Sequence, residues 1–343
     1  MAHLTPKENY LRIGRHEQAE YIPSLIPFRD RILPTYPIGL FAMQFGQDTL
    51  ESGWEQPYGE WQDFWGATFI NYDGFPAALP KPGHFPLKDI RHWDKFIQRP
   101  EVSNINLAEM ANEELSHVNR TQLALTSDVG FQPFQQLVAL MGFTEALCAL
   151  EEEPEAVKEM LNYMADWYVP LIRANLHYWQ PDIVTIADDT AAKYQPLFSL
   201  KTFRDIFLPI YSKLLSPAHE IGALIDYHNC GKCELFLPDM LKLGISYWNP
   251  CELDNNLFGI KMEHGRDLTL SGCWYYDVQP KDPQEKVRFL VDEYLDTFAR
   301  DGGLIAMAFA GPLDMSIEDA PVWKKVNYWI CDELYNYGTK ILA

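Results

Sequence analysis

The stretch Asp226 to Met240, DYHNCGKCELFLPDM, crowds a histidine and two cysteines where the apolar run Ala223-Leu224-Ile225 ends and a helical pattern begins. Four readings compete for such residues. His228 and Cys230 offer a borderline nitrogen and a soft sulfur, a pair that suits zinc. Cys230 and Cys233 have the Cys-x-x-Cys spacing of a redox dithiol, whose first thiol a following helix would acidify. Asp226, His228 and Gly231 repeat the Asp-x-His-x-x-Gly spacing in which a histidine sits below a corrinoid cobalt. The fourth reading is packing, since buried cysteine behaves as a small hydrophobe. His228 and Cys230 stand two apart at a strand end, so their side chains share a face. That shared face favours zinc, held by protein donors with one position left exchangeable. A redox module would carry its dithiol early in a small domain, and the corrinoid spacing has no cleanly placed later Ser-x-Leu element.

The elements that must position these residues become regular from about residue 120. Strands are predicted over Thr121–Ser127, Asp182–Asp188, Gly222–His228, Ile245–Pro250, Asp267–Cys273 and Gly303–Ala310. Helices lie between them: Phe134–Leu150, the long amphipathic Pro154–Trp179 with proline in its first turn, and Phe203–Ile221 among them. Strands alternating with helices across short loops imply parallel pairing. Two earlier strands, Pro37–Phe45 and Asp63–Ile70, bring the count to eight. The expectation is an α/β chain of one domain over residues 1–343, a (β/α)8 TIM barrel. It carries an N-terminal helical extension over 1–36 and a long loop/helix excursion over 71–118. An open doubly wound sheet is the alternative. In a barrel the active site lies at the C-terminal strand ends. Those ends hold Ser127-Asp128, Asp188-Asp189, His228-Cys230, Cys251-Glu252, Cys273-Trp274 and Ala310-Gly311.

Composition narrows the partners. The chain has 343 residues, is 47% hydrophobic and carries a formal net charge of -20. A sizeable core is therefore available, and so acidic a surface makes nucleic acid a poor partner. The N-terminus has no apolar signal core and no window is long enough to span a bilayer. Six cysteines in a chain of this length do not read as a disulfide framework, so a reducing cytoplasm is expected.

Several segments together resemble the uroporphyrinogen decarboxylase superfamily, and within it the cobalamin-linked zinc methyltransferases. The carriers are LTPKENYLRIGRHEQAEYIP (Leu4–Pro23), DFWGATF (Asp63–Phe69), FPLKDIRHWDKF (Phe85–Phe96), the run Ile186–Tyr211, and HNCGKCELFLPDMLKLGISYWNPCE (His228–Glu252). The His-x-Cys-Gly motif is the specific part. The resemblance implies a (β/α)8 barrel of uroporphyrinogen decarboxylase type, with dimers suggested. It implies zinc held by His228 and Cys230, with Glu252 where relatives place an acidic ligand. It also implies a corrinoid (cobalamin) carried by a separate partner protein. Two departures matter. The arginine-rich motif by which the true decarboxylases grip tetrapyrrole carboxylates has no counterpart in PIGLFAMQFGQDTLESG, which argues against porphyrinogen decarboxylation. Relatives also place a cysteine after the last strand, where this chain has Ala310-Gly311-Pro312, so either the site loses a ligand or Cys273, at the preceding strand end, substitutes.

Two methyl transfers need such a zinc. One passes a methyl group from a corrinoid to a thiol acceptor resembling coenzyme M. The other removes a methyl group from an ether or alcohol oxygen, a poor leaving group without acid assistance. Fewer thiolates leave the ion more acidic, so the missing strand-eight cysteine favours a small methylated donor, a methoxylated aromatic. Trp248, Trp274, Tyr275 and Phe309, near predicted strand ends, are candidates to stack on an aryl ring. Asp188 and Asp189 are candidates to orient His228 or to protonate a leaving group; capping a helix is the structural alternative. Asp63 is a further candidate contact. A non-catalytic corrinoid carrier using His228 is the reading from another class.

Overall fold

The structure is a computed structural model describing residues 4–25, 34–38, 59–72, 78–101, 106–311 and 321–343. It divides into two compact units, one formed by Met1–Tyr36, Val118–Leu125 and Gly244–Ala343, the other by Pro37–His117 and Thr126–Leu243. Strand β1 (Thr35–Ile38) straddles the first boundary between them.

The second unit opens with a small antiparallel sheet of β2 (Glu60–Gln62), β3 (Thr68–Ile70) and β4 (Leu79–Pro80). This corrects the strand expected over Asp63–Ile70. Gly66, at φ +82°, reverses the chain, and one Asp63 carboxylate oxygen accepts from the backbone N–H of Trp65 and of Ala67. The parallel strands follow: β5 (Ala124–Asp128), β6 (Ile183–Ala187) and β7 (Leu224–His228). β5 pairs with β6, and β6 with β7, both in parallel. Helices run between them, as the alternating pattern requires. Pro154–Trp179 forms as one helix, with proline at its start and left-handed Gln180 at its end. Its buried face carries Val157, Met160, Leu161, Met164, Tyr168 and Ile172. The single helix expected over Phe134–Leu150 is two, Pro133–Met141 and Phe143–Glu152. Gly142 breaks it at φ +91°, where a β-carbon would lie 2.9 Å from the Phe85 ring.

The first unit holds the later parallel strands β8 (Ile245–Cys251), β9 (Thr269–Gly272) and β10 (Leu304–Ala306). The segment Pro23–Leu25 lies along β10: Leu25 N–H donates to Ala306 O, and Ala306 N–H to Pro23 O. The N-terminal helix Pro6–Gly14, capped by Thr5, is tied down where Tyr247 OH donates to Tyr10 O and Thr269 Oγ1 to Ile13 O. The last strand is shorter than the predicted Gly303–Ala310, so Phe309 falls beyond it. The chain is thus parallel α/β, with the six predicted later strands all present. Of the strand expected over Pro37–Phe45, residues 39–45 lie outside the described residues, as does Pro312. No single helix among the described residues is long and apolar enough to cross a membrane.

Candidate metal centre and its cavity

The register of β6 on β7 pairs Ala187 with His228, so the two strands end side by side in the second unit. Their following loops are stitched together. Asn229 is fully buried; its Oδ1 accepts from Thr190 N–H at 3.0 Å and its Nδ2 donates to Thr190 Oγ1 at 2.6 Å and to Tyr227 OH. Lys232 N–H donates to Ala192 O at 2.9 Å, and Cys230 N–H to Asp189 Oδ1 at 2.8 Å. Gly231 makes this approach possible. It sits at φ +81°, and a β-carbon there would lie 2.7 and 2.8 Å from the carbonyl oxygens of Ala191 and Ala192.

This stitching gathers Asp189, His228 and Cys230. One donor atom from each lies within 4.8 Å of the others. His228 Nε2 is 3.6 Å from Cys230 Sγ and 4.0 Å from Asp189 Oδ1. Donors around a tetrahedral zinc stand about 3.5 Å apart for sulfur and nitrogen, and about 3.3 Å apart for nitrogen and oxygen. The sulfur–nitrogen pair already has that separation, and the carboxylate oxygen stands 4.0 Å from the imidazole nitrogen. The His228 and Asp189 side chains are 38% and 46% exposed, so an ion between them is reachable from solvent. The donor set, one thiolate, one imidazole and one carboxylate, fits zinc with a position left open. Cys233 is fully buried, its Sγ directed at Asn229 O, as a packing cysteine.

The consecutive aspartates divide their roles. Asp188 is buried, and its carboxylate accepts from the backbone N–H groups of Phe134 and Gln135 and from Tyr211 OH. It caps the helix Pro133–Met141 from a neighbouring strand end, the structural alternative for this residue. Burial pushes its carboxyl up to about 7, against the pull of those donors. Asp189 stands among the metal-capable donors, a role the sequence assigned to other residues.

A cavity of about 490 Å³ adjoins His228 in the same unit. Its polar side includes Thr126, Asp128, Gln132 and Thr185, and its apolar side Ile38 and Ala187. Along β5, β6 and β7 the partly exposed positions Thr126, Asp128, Thr185, Asp226 and His228 recur at the strand period of two. Asp128 is paired in register with Thr185, and Thr185 with Asp226, making one polar row across three strands. Thr185 Oγ1 donates to Asp226 Oδ2 at 3.3 Å. Burial pushes the Asp128 carboxyl up to about 7, while Gly130 N–H and nearby His228 oppose the rise. From the sequence, Asp128 stands only among the strand ends and Asp226 only in the corrinoid-type spacing; neither is assigned to a substrate cavity. Counting back by two from His228 along its strand marks Asp226.

The other expected residues have these surroundings within their own units. Asp63 is buried in the β2–β3 turn, and its second oxygen accepts from Gln136 Nε2 at 2.7 Å. Glu252, Cys273, Trp248, Trp274, Tyr275 and Phe309 belong to the first unit. Cys273 is 1% exposed and left-handed at φ 62°, its N–H directed at Cys251 O. Trp248 is fully buried, which corrects its expected stacking role: it fills the core and offers no open face. Trp274 packs edge-on against Tyr294, Tyr275 OH is bonded to Tyr276 OH, and Glu252 and Phe309 are half-buried.

Residues 117–265 match the family model described as uroporphyrinogen decarboxylase (URO-D). A methyltransferase from Methanosarcina mazei has a similar fold, with a TM-score of 0.61 at 14% identity over 96% of this chain and 98% of that one. A GH26-CBM35 β-(1,4)-mannanase of Podospora anserina reaches a TM-score of only 0.27, at 12% identity over 70% and 58% of the two chains. No curated protein matches the chain. The family match over residues 117–265 supports the uroporphyrinogen decarboxylase superfamily, and the structural likeness shows a similar fold.

Proposed function

We propose that this protein is a zinc-dependent methyltransferase of (β/α)8-barrel type. It would move a methyl group from a small methylated donor, a methoxylated aromatic, to the cobalt of a separate corrinoid protein. The observation that carries this reading is the convergence of Asp189, His228 and Cys230 at the ends of two paired parallel strands, beside a cavity of about 490 Å³. A methyltransferase with a similar fold supports methyl transfer in general.

His228, Cys230 and Asp189 would hold the ion. Bound zinc supplies Lewis acidity, which lowers the barrier to releasing an alkoxide or phenoxide. The chain's own residues do the rest. The Cys230 N–H bond fixes the Asp189 carboxylate, and Asn229 holds the two loops in register. Ile38 and Ala187 give a small aromatic an apolar wall beside His228. A single thiolate among the gathered donors favours ether cleavage over transfer to a thiol.

Metal analysis of the purified chain should find about one zinc, in line with a single site of this kind. Cys230→Ser and His228→Ala should lose both zinc and corrinoid methylation by methoxybenzenes while keeping the wild-type circular dichroism. A wild-type protein fully active after complete metal removal refutes the assignment.

A further inference from the structure

Gln132 deepens this reading, on which it rests for the position of the methyl group. The residue follows β5 and stands at the N-cap position of the helix Pro133–Met141, where its side chain makes no cap bond. Glutamine is a poor N-cap, and Asp188 already holds the backbone N–H groups of Phe134 and Gln135 that a cap would satisfy. The two later glutamines of this helix are committed to the protein. Gln135 Nε2 donates to Asp189 O and Gln136 Nε2 to Asp63 Oδ2, both at 2.7 Å. The Gln132 amide has no such partner among the described residues, and this half-buried residue lines the cavity of about 490 Å³ together with His228. A primary amide offers two donors and one acceptor, which water satisfies until a ligand displaces it. A ligand unable to replace that water leaves the amide unpaired.

Strand spacing sets how far such a ligand must reach. β6 lies between β5 and β7. Neighbouring strands stand about 4.8 Å apart, so β7, which ends in His228, lies about 10 Å from β5. A molecule that touches both ends needs its methyl-bearing group and its hydrogen-bonding group on well-separated positions of a ring.

We propose that Gln132 is a specificity-determining residue that reads the second substituent of the methylated donor. The donor is then a single aromatic ring with its methoxy group at the His228 end. A hydroxyl or carbonyl group, meta or para to the methoxy, bonds the Gln132 amide. A neutral amide distinguishes a hydrogen-bonding substituent from a hydrocarbon one of the same size. No residue motif marks Gln132. Its amide is available because a carboxylate from the neighbouring strand end caps the helix in its place.

Titration calorimetry on the full chain tests it with two probes of nearly equal size, 3-methoxyphenol and 3-methoxytoluene, against wild type and Gln132→Leu. The quantity read is the ratio of the two affinities, phenol over toluene, in each protein. That ratio should fall about tenfold in Gln132→Leu, as the loss of one hydrogen bond to a partner-less amide provides. Gln132→Met, which keeps the chain length without the amide, gives the same reading should the leucine variant not fold. The series is run on zinc-loaded and on chelator-stripped protein, because a bond to Gln132 does not need the ion, and the fall is expected in both. A ratio unchanged within about twofold in either preparation overturns the proposal, and so does a wild type that binds neither probe. Zinc content and corrinoid methylation are measured on the same wild-type sample. A chain that shows the fall in ratio but neither holds zinc nor transfers a methyl group sinks the methyltransferase reading and leaves the Gln132 contact standing.

Discussion

Gly231 should be the most sensitive glycine in the second unit, and a second glycine isolates the reason. Replacing it with alanine imposes two costs. A side chain at φ +81° adopts the left-handed region, which costs about 1–2 kcal/mol. The new β-carbon would also lie 2.7 and 2.8 Å from two backbone oxygens, where carbon and oxygen ordinarily meet at about 3.3 Å or more. Neither oxygen yields easily, because Ala192 O also accepts from Lys232 N–H within the stitched loops. Overpacking of this kind costs about 1–3 kcal/mol. Gly222, which ends the helix Leu208–Ile221 at φ +69°, has nothing within 4 Å of its would-be β-carbon. Gly222→Ala therefore pays the backbone term alone. Urea denaturation should put Gly222→Ala about 1–2 kcal/mol below wild type and Gly231→Ala a further 1–3 kcal/mol below that, with m-values unchanged. Zinc titration should separate them again, because only Gly231 borders Cys230: Gly231→Ala should weaken binding about tenfold or more and Gly222→Ala should leave it alone. Equal stabilities within about 0.5 kcal/mol, together with equal zinc affinities, would refute the claim that loop approach builds the donor cluster.

Asp63, Glu252 and Cys273 give three further tests. Burial raises the Asp63 carboxyl from 3.8 to about 6, so the folded state holds its proton more tightly than the unfolded chain does. The Asp63 contribution to stability should be full below about pH 4, fall by about 3 kcal/mol as pH rises towards 6, and stay flat above. Asp63→Asn should remove that slope, read from urea midpoints between pH 4 and 7. Glu252→Gln and Cys273→Ser should both retain about one zinc per chain, since His228, Cys230 and Asp189 are the proposed donors. Cys273→Ser should instead destabilise by about 1–3 kcal/mol, because it buries a hydroxyl at a position 1% exposed. Zinc lost from either variant would refute the three-donor set.

Much of this was legible from periodicity. Pro154–Trp179 reads as a helix because its apolar residues recur every three or four positions, and β6 and β7 read as strands because their apolar runs stop at polar ends. The failures share a cause. Asp63–Ile70 has strand composition, but a carboxylate bonded to two nearby backbone N–H groups and a positive-φ glycine turn it back on itself. Phe134–Leu150 is apolar throughout, and only the conformation of Gly142 divides it. In both, one residue's backbone geometry overrides a pattern averaged over many. The candidate donors His228 and Cys230 were legible, because their spacing is local. The row that joins Asp128 to Thr185 was not, because it depends on strand register, which no single segment encodes.

The pair Asp188-Asp189 shows the same limit from the chemical side. Read as text, two adjacent carboxylates invite a shared acid–base task. Neighbours at the end of a strand point to opposite sides, so these two cannot serve one proton. Asp188 turns into the protein and holds the first turn of the helix that follows β5, with three donors on its carboxylate. Asp189 turns towards His228 and accepts from Cys230 N–H. One residue fixes the helix to the strand end, and the next fixes the cysteine loop to the same strand end. The Gln135 side chain closes the arrangement by donating to Asp189 O at 2.7 Å. Helix, strand end and metal-capable loop are thereby referred to a single dipeptide. The donor cluster then inherits its geometry from the sheet, which is how a site built on loops acquires the rigidity that metal binding requires.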